Sequence, residues 1–178
     1  MEQVLYVIGQ LLGGVCVVLG FINYQVKTRK QVLVVNASTT LCFAFHYMLL
    51  GAWAGMAMNF VGFVRNIVFY FAGKNGKINK IWPIFFTIII GSMGITASLI
   101  AKEGLYFCLS VAGLMINTYS MSFPNPSSIR KSILVSSPLV LAYNVFVSSW
   151  GGAIYEAVVI ISSIIGILRF REHDNGIG

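Results

Sequence analysis

Three ionisable side chains stand inside long apolar runs of this chain: His46, Arg65 and Glu156. A charge at the centre of a bilayer costs roughly 2.5–3.5 kcal/mol on insertion scales, so such residues face a bundle interior and find partners. Glu156 could bind a polar or cationic solute or serve as a proton-coupling carboxylate. Alternatively, Arg65 and Glu156 form a structural ion pair that locks one apolar segment to another. Asn59, Gly62 and Asn66 recur at i, i+3 and i+7, one stripe of a helix. Gly152, Glu156 and Ser163 share a stripe on a later segment. Two such stripes could line a water-filled cavity, or they could hydrogen-bond between helices, at about 0.6 kcal/mol each. His46, with Tyr47 beside it, either joins that lining or satisfies a packing neighbour.

Cys16, Cys42 and Cys108 lie in apolar runs without metal-ligand spacing, and no His or Asp completes a set, so neither a metal nor another cofactor is expected. Ser, His and acid residues do not combine into a nucleophile–base pair, so the chain is not expected to be an enzyme. Asn23, Asn117 and Asn144 read as packing polars, with Asn23 and Asn117 as candidates for one gate.

The elements that must position these groups follow from composition. The chain has 178 residues, 57% hydrophobic and 10% charged, with mean hydropathy +0.83. A soluble domain carries about 25% charged residues, so too little charge is present to coat a water-facing surface. The net charge of +7 is not spread over a polar face, which excludes a nucleic-acid partner. An integral membrane protein remains.

A spanning helix needs about 20 mostly apolar residues. The charge-free runs are 3–26, 31–64, 81–101, 104–129, 132–155 and 157–168. Two stretches of double length, one containing Arg65 and one containing Glu156, are each broken by small residues around a Trp, at 51–55 and 148–152. The expected fold is therefore all-α with seven spans, at 4–24, 31–50, 54–71, 81–101, 104–122, 131–147 and 151–170. Barrel strands would alternate polar and apolar residues, and these segments do not.

Sidedness follows from Lys and Arg. One side receives Lys27, Arg29, Lys30, Lys74, Lys77, Lys80, Arg130, Lys131, Arg169 and Arg171; the other receives Lys102 beside Glu103. The N-terminus is expected outside and the C-terminus in the cytoplasm, with Trp53 and Trp150 at the outer border and Tyr24, Tyr70 and Trp82 at the inner one. The first segment lacks a basic leader and a cleavage site and reads as an uncleaved span.

The chain also repeats. Trp53, Gly55 and Asn59 match Trp150, Gly152 and Glu156 at an offset of 97, which also places His46-Tyr47 over Tyr143-Asn144 and Asn66 over Ser163. Arg29-Lys30 corresponds to Arg130-Lys131, and Ile22-Asn23 to Ile116-Asn117. Three spans reverse sidedness, so one extra crossing makes two three-helix units parallel. Such pairs bind solutes at the repeat interface. The units are 1–73, a linker helix with its loops at 74–103, a second unit at 104–171 and a tail at 172–178.

This 3+1+3 plan resembles the SWEET and PQ-loop (MtN3-like) superfamily of solute carriers. Within it the chain is most similar to the bacterial inner membrane protein YgjV family, through Phe45-His46-Tyr47, Gly51-Ala52, Gly55, Asn59 and Arg65, and Trp150 to Glu156. In half-size members of the superfamily a Gly stands eight residues before a substrate-facing Asn, and Gly51 and Asn59 keep that spacing. The Pro-Gln dipeptide of the superfamily is absent; Tyr24-Gln25 and Asn117-Thr118 stand near its places. The resemblance implies a carrier in the bacterial inner membrane with Asn59 and Glu156 facing a central cavity between the third and seventh helices. Asn66, Ser163, His46 and Tyr47 would flank them. The expected partners are a small polar solute and membrane lipids, and a homo-oligomer is left open. The rival expectation is a receptor or scaffold that does not transport, held by an Arg65–Glu156 pair.

Overall fold

The computed structural model describes residues 2–51, 53–73, 78–100, 106–146 and 150–175, and its regular structure is helical throughout. Among these residues there are seven helices: α1 (Glu2–Asn23), α2 (Arg29–Leu49), α3 (Trp53–Ala72), α4 (Ile81–Ile100), α5 (Phe107–Ser120), α6 (Pro126–Phe146) and α7 (Trp150–Asn175). Four stretches are long and apolar enough to cross a membrane: α2, Gly55–Ala72 of α3, α4 and Trp150–Phe170 of α7. The α1 stretch Val7–Asn23 and α5 are shorter apolar helices. Loop charges Lys74, Lys77, Lys102 and Glu103, the residues Ala52, Ser148 and Ser149, and the side chains of Arg171 and His173 lie outside what is described.

Local chemistry explains the boundaries. Thr28 starts α2 with a reciprocal cap: its hydroxyl accepts from the Gln31 amide at 3.2 Å, and the Gln31 side chain accepts from the Thr28 amide at 3.0 Å. Between α2 and α3 the backbone turns at Gly51 with φ +70, a conformation that a side chain disfavours. The α6 helix starts at Pro126, earlier than the expected 131, because proline suits the first helical turn. That shift brings Arg130 into the helix instead of leaving it in the preceding loop.

In packing, α2 lies against both α1 and α3, and α6 against both α5 and α7. The α4 helix runs along α5 and more lightly along α3, while α1 meets α7. One core cluster comprises Tyr24, Val32, Leu33, Phe69, Phe86, Met121, Ile129, Ile133 and Val159. It sits where α1, α3 and α5 finish and α2, α4 and α6 begin, hereafter the basic end. Large apolar side chains such as Phe71, Ile88, Leu99 and Leu168 point outward, while Asn23, Asn36, Thr39, Arg65, Asn66, Thr118, Ser136 and Ser162 are buried. Polar inside and apolar outside is the arrangement expected of a bundle solvated by lipid.

Candidate functional site

Arg65 on α3 is 4% exposed and reaches α5 and α2. Its Nη1 donates to the Thr118 hydroxyl on α5 at 3.0 Å, and its Nη2 to the Asn36 Oδ1 on α2 at 3.1 Å and the Asn66 Oδ1 at 3.2 Å. The Asn66 amide in turn donates to the Asn36 Oδ1 at 2.8 Å. The remaining donor, Nε, is buried without a partner. Among the described residues no ion pair joins Arg65 to Glu156. The physical reason is placement: α3 and α7 do not pack side by side, and the guanidinium is held by α2 and α5.

Glu156 is partly buried on α7 and lies near the Ser137 side chain of α6. Tyr24, just past α1, stands within electrostatic reach of both Glu156 and Arg65. The two charges thus have different polar neighbours, with one tyrosine in electrostatic reach of both.

The other singled-out residues divide. Asn66 joins the Arg65 cluster, whereas the Ser163 hydroxyl is buried with no partner. Asn59 donates to the Gly55 carbonyl of its own helix at 2.9 Å, and no hydrogen bond links it to Glu156 among the described residues. The His46 Nδ1 donates to the Gly9 carbonyl at 2.7 Å and ties α2 to α1. Tyr47 lies over Gly55 and stacks on Phe43, whose ring also meets Tyr155 edge-on with centroids 4.9 Å apart. Unpartnered buried atoms also occur at the Asn23 Oδ1 on α1 and the Asn117 Oδ1 on α5, the two residues matched by the repeat. Within the described residues no three of His, Cys, Asp and Glu gather as a metal site.

Two arginines carry more structure than their loop-charge reading allowed. Arg29, at the start of α2, donates from Nε to the Phe123 carbonyl at 2.9 Å and from Nη2 to the Met121 carbonyl at 3.4 Å, both just past α5. Arg130, in the first turns of α6, donates from Nε to the Tyr24 carbonyl at 2.9 Å and from Nη2 to the Val26 carbonyl at 2.6 Å, both just past α1. At the offset of 97, Tyr24 and Val26 are the counterparts of Met121 and Phe123. Thus α2 caps the end of α5 and α6 caps the end of α1, in a reciprocal crossing. Likewise Gln25 donates to the Ser162 carbonyl and hydroxyl at 2.8 and 3.0 Å, which fixes α7 to the end of α1. A signal for the arginines was available: in both copies of the Arg-Lys pair the first residue is Arg, whose fork suits two carbonyls, and the second is an exposed Lys.

Comparison with known proteins gives one match. The family model Imp-YgjV, described as bacterial inner membrane protein, covers residues 7–174. No curated protein and no solved structure matches the chain.

Proposed function

The chain belongs to the Imp-YgjV family of bacterial inner membrane proteins, and from that premise we propose that it carries a small polar solute across that membrane by alternating access. The proposed architecture is SWEET-like, with two parallel three-helix units, α1–α3 and α5–α7, around α4 as the reversing helix. The N-terminus would lie outside and the C-terminus in the cytoplasm, so that the basic end faces inward. One observation carries the reading. Polar side chains converge where the two triplets meet, with Arg65 of α3 on Thr118 of α5 and Gln25 on Ser162 of α7. A repeat interface lined in this way is where parallel-repeat carriers hold their solutes.

Glu156 and Ser163 of α7, with Tyr47 of α2, supply one side of the proposed site, and Asn66 and Arg65 of α3 the other. Asn59 and His46 would join after release of their backbone bonds to Gly55 and Gly9. A scaffold held by an Arg65–Glu156 pair lacks that pair among the described residues. No reaction is proposed.

Flux of a solute panel into liposomes holding the purified protein, with and without a pH gradient, tests the carrier reading. Flux no faster than in empty liposomes for every solute rejects it. Glu156→Gln should lower that flux by about tenfold or more, equivalent to 1.4 kcal/mol. Folding should survive, since Gln keeps the size of the carboxylate and an oxygen that can accept a hydrogen bond, so unfolding should shift by about 1 kcal/mol or less. Loss of folding would assign Glu156 to structure. Sidedness is read from single cysteines, in a background without Cys16, Cys42 and Cys108. Lys30→Cys should react with an impermeant maleimide only from the cytoplasmic face and Trp150→Cys only from outside; the reverse pattern overturns the orientation.

A further inference from the structure

We infer that Arg65 is the anion-receiving group of the site, so that the solute carries a carboxylate or phosphate. The inference rests on the carrier reading only for what the occupant does next; the binding stands by itself. A guanidinium cannot shed its proton inside a protein, so its charge must be compensated where it lies. Among the described residues every hydrogen-bond partner of Arg65 is a neutral oxygen: Thr118, Asn36 and Asn66. These dipoles orient the fork but leave a full positive charge at 4% exposure, a costly state in a low-dielectric interior. No carboxylate is among the hydrogen-bond partners of Arg65 in the described residues.

The fork itself is half used. Nε and Nη2 form the edge that takes a carboxylate or phosphate through two parallel bonds. On that edge Nε is buried and unpartnered, while Nη2 holds two bonds of 3.1 and 3.2 Å, at the long end of the range. An oxyanion would complete Nε and displace one weak amide contact. The Thr118 hydroxyl, which accepts from Nη1, keeps its own proton to donate. Further polar atoms lie unpaired nearby in the chain: the Asn117 Oδ1 beside Thr118, and the Asn23 Oδ1 beside Tyr24. Those two are acceptors, so they would take donors from the uncharged part of a solute that bears both hydroxyl and acid groups.

The test is thermal unfolding of the purified full chain with acetate, lactate, succinate and inorganic phosphate, each against a neutral control: acetamide, lactamide, succinamide and glycerol. At least one oxyanion should raise the wild-type midpoint while its neutral control does not. Arg65→Lys keeps the charge but loses the fork, and should weaken that midpoint effect by about tenfold or more in concentration. Arg65→Gln should abolish it. If Arg65→Gln does not fold, Arg65→Lys and Thr118→Val, which keeps shape and removes one partner, provide the reading. The inference is overturned if no oxyanion shifts the wild type, or if the shift survives unchanged in every Arg65 and Thr118 variant. Oxyanion binding without liposome flux would reject the carrier and keep the anion site. Flux of a neutral or cationic solute that is indifferent to Arg65→Lys would keep the carrier and reject the anion site.

Discussion

Arg130→Lys is expected to lower the stability of the folded chain by about 2–4 kcal/mol, from the loss of charge-assisted bonds worth roughly 1.5–3 kcal/mol each. The α1 helix ends at Asn23, and the carbonyls that follow have no partner within their own helix. Arg130, 2% exposed, holds two of them at 2.9 and 2.6 Å and lies 4.7 Å from the centroid of the Phe170 ring. Its position at a helix C-terminus adds favourable interaction with the helix dipole. A lysine ammonium is a single compact donor and cannot span carbonyls two residues apart. The measurement is the unfolding midpoint in detergent, with the exposed neighbour Lys131→Gln as control, expected within about 0.5 kcal/mol of wild type. Arg29→Lys should act in the same direction but less, because its second bond is 3.4 Å and it is 8% exposed. An Arg130→Lys protein that melts with the wild type would show that the clamp contributes nothing to stability.

Gly166→Ala should cost about 3 kcal/mol or more, the upper part of the range for overpacking a tight contact. A Cβ there would collide with the Tyr24 carbonyl oxygen and come within 2.8 Å of the Arg130 Nε. The oxygen belongs to the backbone, so α1 or α7 must move, and the clamp opens as it does. Gly14→Ala is the matched control: a Cβ at Gly14 meets nothing within 4 Å, and alanine favours a helix by about 0.5–1 kcal/mol. Because Gly166→Ala and Arg130→Lys disturb the same carbonyl, their double variant should be less destabilised than the sum of the two. Full additivity would mean that the two substitutions act on separate contacts.

The helices were legible in sequence because solvation by lipid demands apolar length, and because Gly51 marks chain geometry that few residues accept. The start of α6 was not, since Arg130 looked like a loop charge while Pro126 had already opened the helix. The burial of Arg65 was equally legible: a charge between Val64 and Asn66 has to point inward. Its partners were not. Asn36 and Thr118 are polar residues in apolar segments with nothing local to distinguish them, and only the meeting of α2, α3 and α5 makes them a set. Glu156 was the natural partner by charge alone, but charge sets a preference and helix packing sets the reach. For Arg29 and Arg130 the same limit applied in reverse: sidedness accounts for any cation at those positions, while their inward aim depends on carbonyls about a hundred residues away.

The reciprocal capping also imposes an order in time. The carbonyls after α1 wait for Arg130, and Tyr24 and Arg130 are 106 residues apart. At a synthesis rate of about 5–20 residues per second, the end of the first helix spends roughly 5–20 s at the insertion machinery before its cation is made. The end of α5 faces no such delay, because Arg29 was translated long before Met121 and Phe123. A nascent chain of this protein is therefore most exposed to proteolysis and misassembly at Tyr24–Val26, and slowing the ribosome between α4 and α6 should lengthen that exposure.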